Sequence, residues 1–149
     1  MSNFLRLVLF SCIYSFSFSQ ANMQSEKELV KQAVMDYVNA FYTGDESLIK
    51  RSVSPTVYKV GYYIPRGKSA YESEPMSYQE MIDYAISVKK RNRYPKADAV
   101  KEIELFEVTE QIASAKLTAW WGFDYILLAK KDGKWMIDQV LYVNPPPKK

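Results

Sequence analysis

The chain has no histidine, and its single cysteine, Cys12, lies in an apolar N-terminal run. Without an imidazole, neither a Ser-His-Asp nor a Cys-His nucleophile system can be assembled. The usual ligands of zinc, haem and iron–sulfur sites are missing as well. One thiol cannot form an internal disulfide, and no Asp-rich loop stands out for an oxygen-only calcium or magnesium site. The residues therefore point to no metal and no cofactor. Chemistry is left to carboxylates and amides, with phenols and indoles around them. Two polar residues stand out because each interrupts an apolar strand pattern: Asp124 and Gln139.

Aromatic residues make up 15% of the chain, including 12 Tyr and 3 Trp. Such side chains join a large apolar area to a polar tip, so they suit wet pockets and interfaces as well as a sheet core. Both uses stay open at this point. The net charge of +3 is too weak a field to argue for nucleic acid. Lys89, Lys90, Arg91, Arg93 and Lys96 do cluster, but cations suit a helix C-terminus and its solvated loop.

Residues 1–19 carry one positive charge at Arg6, an apolar run from Leu7 to Phe18, and small residues at Ser17 and Ser19. That arrangement is expected of a secretory signal peptide cleaved after Ser19. The run is short for a membrane span, so none is expected. A rival reading makes Leu9-Phe10-Ser11-Cys12 a lipobox, with Cys12 lipidated. Bulky Phe10 and the apolar stretch after Cys12 count against it. Residues 20–149 are then one exported domain, periplasmic or extracellular.

The elements that must position the chemistry follow from capping and periodicity. Ser25 with Glu28 predicts a capping box, and Val30, Val34, Tyr37, Val38 and Phe41 recur behind it at helical spacing. Gly44 stops that helix. Asp45 caps a second, shorter one carrying Leu48, Ile49 and Val53, which ends before Pro55. Thr56 to Ile64 is β-branched and aromatic and predicts a short strand or two. Ser77 and Glu80 form another capping box, ahead of a helix burying Met81, Tyr84, Ala85 and Val88. Four strands follow, near 101–109, 112–121, 123–131 and 135–143. Pro145-Pro146-Pro147 ends the ladder.

Asp132-Gly133 is the strongest turn signal and favours a two-residue hairpin. Its register predicts Lys131 opposite Lys134, Leu128 opposite Ile137, Ile126 opposite Gln139 and Asp124 opposite Leu141. With a turn at Trp121-Gly122, Ala115, Leu117 and Ala119 join this inner face. A carboxylate there must be hydrogen-bonded, paired or open to a wet cavity. It is either a residue near the sheet rim or part of a pocket in which a few polar groups fix a ligand. The outer face then carries Lys116, Thr118, Trp120, Phe123, Tyr125, Leu127, Val140 and Tyr142. So apolar a face predicts a partner, here a homodimer through Trp120, Phe123, Tyr125 and Tyr142. A one-residue slip would exchange the faces.

The order helix, helix, short strand, helix and four-stranded meander resembles the nuclear-transport-factor-2-like (NTF2-like) superfamily. The stretch from Ala113 through Trp120-Trp121-Gly122-Phe123-Asp124-Tyr125, then Leu128-Ala129-Lys130 and Asp132-Gly133-Lys134-Trp135-Met136-Ile137, is similar to its "Putative lumazine-binding" family. Ala40-Phe41-Tyr42-Thr43-Gly44-Asp45, Arg51-Ser52-Val53 with Pro55, Gly61-Tyr62-Tyr63 and Pro75-Met76-Ser77 extend the likeness over about residues 26–145. The resemblance implies an α+β fold: a cone-shaped, curved, mostly antiparallel sheet packed against three helices, with a pocket at the open end. Where the family pattern carries a His before Pro55, this chain has Ser54. Any role of that imidazole is absent here.

Superfamily members include ketosteroid isomerases and many non-catalytic binders, so fold alone does not choose an activity. The expected function is a non-catalytic domain binding a small organic ligand. Tyr37, Tyr62, Tyr63 and Trp121 would stack on it, and Asp124 and Gln139 would orient it. One alternative is a His-free enzyme of ketosteroid-isomerase type with Asp124 as base and a Tyr donor. The other is a protein-interaction module that uses the outer aromatic face.

Overall fold

A computed structural model describes the backbone of residues 2–144 and the side chains of residues 23–144. The expected leader therefore falls outside the described side chains. Helix α1 (Ser2–Thr43) runs straight through Ser25, so no capping box forms there. Glu28 instead accepts from Gln24 Nε2 at 3.2 Å, one turn away. The neighbouring Glu26 does more, accepting from Lys130 Nζ at 2.6 Å and Trp135 Nε1 at 2.7 Å. Those two bonds pin the helix to the sheet and hold the Glu26 carboxyl below its usual range.

Val30, Val34, Tyr37, Val38 and Phe41 form the buried stripe of α1. Gly44, at φ 72°, turns the chain in the left-handed region that a side chain would strain. Asp45 caps α2 (Glu46–Ser52) by accepting from the Ser47 amide. Arg51 then clamps α2 to α1 through a two-pronged ion pair with buried Asp36, both N···O distances being 2.6 Å. In α3 (Tyr78–Lys90) the expected capping box is present, with Ser77 and Glu80 bonding reciprocally. Met81, Ile82, Ala85 and Val88 are buried, whereas Tyr84 is not. Lys89 and Lys90 close the helix, and the basic cluster is exposed.

The sheet comprises β1 (Val53–Tyr63), β2 (Glu72–Pro75), β3 (Glu102–Val108), β4 (Ile112–Ala119), β5 (Gly122–Lys131) and β6 (Lys134–Val143). Their order is β2-β1-β6-β5-β4-β3. Only β1 and β6 run parallel; the other neighbours are antiparallel. This is the expected α+β architecture of three helices and a mostly antiparallel open sheet. Strand β2 was not expected, because Glu-Ser-Glu-Pro has neither alternation nor β-branched residues. It sits at the sheet edge, where a proline costs no ladder bond.

Two irregularities decide which side chains face inward. The β4–β5 turn is Trp120-Trp121, with Ala119 opposite Gly122, rather than Trp121-Gly122. That is a slip of two residues, which leaves every face unchanged. Between β5 and β6, however, a bulge at Asp138 shifts the register by one. Leu128 still pairs with Ile137, but Leu127 meets Gln139, Ile126 meets Val140 and Asp124 meets Tyr142. Gln139 and Leu141 are thereby turned out to solvent, and Val140 and Tyr142 are turned in. The exchange buries an aliphatic side chain in place of an amide, which is the favourable direction.

Candidate functional site

Asp124 lies on β5 between Leu117 and Tyr142, which face it across the neighbouring strands. It has no exposed surface. Burial of that kind is tolerated because each oxygen has a donor: Tyr37 Oη gives to Oδ2 at 2.9 Å and Trp121 Nε1 to Oδ1 at 2.8 Å. Both donors come from where the fold must put them. Tyr37 is on the buried stripe of α1, and Trp121 is in the tight turn that opens β5.

Behind Tyr37 stands Lys59, a residue that sequence reasoning missed. It projects inward from β1, is only 6% exposed, and its Nζ donates to Tyr37 Oη. The result is a buried chain from Lys59 through Tyr37 to Asp124. Lys59 Nζ also sits 5.1 Å from the Tyr37 ring centre, 5.5 Å from Phe41 and 5.0 Å from Tyr142. Three aromatic rings surround one amine.

The electrostatics follow from desolvation. Burial pulls the Lys59 amine below its ordinary value, partly countered by the negative charge of Asp124. Burial likewise pushes the Asp124 carboxyl up, against the opposing pull of Lys59 and the bonds from Trp121 and Tyr37. Tyr37 is raised well above the usual phenol value, by burial first and by the Asp124 charge second. Tyr142 is raised too, chiefly by burial.

Of these groups Lys59 and Tyr142 line a cavity of about 620 Å³ between the sheet and α3, with Tyr37 and Asp124 buried behind them. Phe41, Trp121 and Tyr142 form its inner wall, and Tyr84 and Met76 its other side. Phe41 is the hub, with edge-on contacts to Tyr37 at 5.1 Å, Tyr84 at 5.6 Å and Trp121 at 5.8 Å. Lys59 opens onto the cavity, with Glu74, Glu80 and Asn144 also on its lining. Glu80 is already held by its helix cap. Asn144 Oδ1 is buried with no hydrogen-bond partner among the described residues.

Of the expected site residues, Tyr37, Trp121 and Asp124 are brought together by hydrogen bonds. Gln139 is not with them: the bulge places it on the outer face, opposite Leu127. Tyr62 also points outward and is exposed. Tyr63 is half-buried near Tyr142 but does not line the cavity. Tyr142, expected at the outer surface, is a wall of the cavity instead. Ser54, in the place of the family imidazole, bonds with Thr56 and Lys131 outside the cavity. Among the described residues no group of three acidic or thiol ligands lies close enough to hold a metal.

A helix-backed curved sheet with a cavity at its open end is the NTF2-like architecture, and solved structures carry the same fold. An NTF2-like protein of unknown function from Methylobacillus flagellatus aligns with a TM-score of 0.61 and 20% identity, over 81% of this chain and 93% of that one. One from Silicibacter pomeroyi aligns with a TM-score of 0.58 and 20% identity, over 79% and 95%. One from Shewanella baltica gives 0.55 and 16%, over 78% and 91%. Identities this low speak to fold alone. The family described as "Putative lumazine-binding" matches residues 25–142, and the chain belongs to it. Among curated proteins, none matches the chain.

Proposed function

We propose that this domain binds a small, planar organic molecule in the aromatic cavity and does so without catalysis. Family membership supports a ligand-binding domain. The observation that carries the finer reading is a cavity of about 620 Å³ walled by Phe41, Trp121 and Tyr142 and floored by Lys59. That size is within the range of small-molecule sites, and flat aromatic walls with few polar groups suit a ring system. In this reading Asp124 acts through Tyr37, holding Lys59 in place, and Asn144 Oδ1, which has no partner among the described residues, receives a donor from the ligand.

The isomerase alternative would make Asp124 a base. Both of its oxygens are occupied and it has no exposed surface, which favours a positioning role instead. The outer face supports a second copy of the chain as partner. Tyr58, Tyr125 and Leu127 are 61%, 52% and 49% exposed there, and Phe106 stacks on Tyr125 at 6.2 Å. A patch of that kind is unusual on a monomer. We also place the chain outside the cytoplasm, on the leader alone. Among the described residues no helix is long and apolar enough to cross a membrane. The binding reading is tested by titrating aromatic fragments and following tryptophan fluorescence. Quenching that saturates, and is lost in Phe41→Ala with the fold intact, is expected; no saturable response from any planar fragment would overturn it.

A further inference from the structure

We propose that Lys59 is an imine-forming amine, through which the cavity takes small aryl or conjugated aldehydes as reversible covalent ligands. This rests on the binding reading above and names its ligand class. Three features of the site converge on it. Lys59 is one of the residues lining the cavity, and no carboxylate lies within ion-pair distance of its amine among the described residues. Its surroundings are the rings of Tyr37, Phe41 and Tyr142, where desolvation favours the neutral, nucleophilic form. The walls are flat and aromatic, which suits a conjugated carbonyl compound better than an aliphatic one.

The chain behind the amine supplies the proton handling. An ammonium at Lys59 passes one proton through Tyr37 Oη to Asp124, which is the order of the observed bonds. The freed nitrogen lone pair attacks the carbonyl carbon, forming a C–N bond while the carbonyl π pair moves to oxygen. Nitrogen loses a proton and the oxygen gains one, giving a carbinolamine. A further proton, returned along the same chain, lets the C–O bond break and water leave as the C=N bond forms. The remaining N–H proton passes back through Tyr37 Oη to Asp124, giving the neutral imine. The net change is ammonium, Asp124 carboxylate and aldehyde to imine, protonated Asp124 and water, with nothing oxidised or reduced.

The test uses the folded full chain with 4-hydroxybenzaldehyde and cyanoborohydride at neutral pH, followed by peptide mapping. An ordinary exposed lysine, with a pKa of about 10.4, is almost wholly protonated there. Adduct at Lys59 is therefore expected to exceed the average surface lysine by about tenfold or more, and Lys59→Met should remove it. Label confined to surface lysines, or unchanged by Lys59→Met, overturns the proposal. Should Lys59→Met fail to fold, the peptide map of the wild-type chain decides alone. The alcohol analogue, 4-hydroxybenzyl alcohol, separates the two readings. If it binds saturably while Lys59 stays unmodified, imine formation falls and the pocket reading stands.

Discussion

Gly61 on β1 and Tyr142 on β6 are register partners, and the Tyr142 ring lies directly over the glycine. A Cβ at position 61 would run into that ring. The glycine is required by close approach, since its φ is not in the left-handed region. It lets Tyr142 lie flat over β1, where the ring both walls the cavity and faces Lys59. Gly61→Ala must push the ring away, at an overpacking cost of about 1–3 kcal/mol. Chemical denaturation should show that loss, and fragment binding should weaken with it. A variant with wild-type stability and affinity would mean that the ring is not held as described.

The same pair shows why some of the site could be read from sequence and some could not. The β5 pattern alternates cleanly, and the Asp132-Gly133 turn, with φ of 51° and 76°, sets its register at one end. Asp124 could therefore be assigned to the inner face. The bulge at Asp138 lies a few residues beyond that turn and leaves no mark in the pattern, so Gln139 and Tyr142 exchange roles. Strand β1 is harder still. Tyr58, Val60 and Tyr62 are the apolar set, and alternation would bury them. Instead Tyr58 and Tyr62 are exposed, Val60 is buried but outside the main core cluster, and Lys59 and Gly61 face in. Pattern logic assumes that one face is polar, and a sheet with an apolar outer surface removes that assumption.

That outer surface carries the dimer prediction. Tyr125→Lys and Leu127→Glu each put a charge into it without touching the cavity. Sedimentation should show monomers, with far-ultraviolet circular dichroism nearly unchanged. If both variants remain dimeric, this face is not the contact. A monomeric wild-type chain would remove the dimer altogether.

Export has a direct readout. Mass spectrometry of the protein isolated from its source should find a chain starting near Gln20. An intact Met1, or a diacylglycerol on Cys12, would overturn cleavage after Ser19.

Stability should depend on pH through the buried pair. The Asp124 carboxyl is raised in the fold, so its stabilising contribution is complete below the ordinary aspartate value and lost as pH rises through the raised one. The Lys59 amine is lowered, so its contribution is complete above the ordinary lysine range and lost as pH falls through the lowered value. The groups facing the pair are Tyr37 from α1, Tyr142 from β6 and, further out, Glu74 from β2. Removing the Lys59 charge raises Asp124 further. Lys59→Met should therefore lose stability more steeply than wild type as pH rises from the ordinary aspartate value, about 4, through the raised one. Parallel curves for the two proteins would show that Asp124 and Lys59 are not coupled.

Asp124→Asn separates a positioning role from a ligand contact. The carboxylate accepts two bonds, from Tyr37 Oη and Trp121 Nε1. An amide offers one accepting oxygen and a donating nitrogen, so it cannot receive both as they stand. One buried donor is left without its acceptor, or Tyr37 must reverse its hydroxyl toward Lys59. Either way the substitution should cost about 1–3 kcal/mol of stability. It also removes the negative charge nearest Lys59, so the amine should fall further below its ordinary value. A neutral fragment that cannot form an imine senses none of this directly, because Asp124 has no surface on the cavity. Its affinity, measured by calorimetry on the folded variant, should stay within a few-fold of wild type. A loss of about tenfold or more, about 1.4 kcal/mol, with stability unchanged would make Asp124 a ligand contact and the floor of the cavity different from the one described.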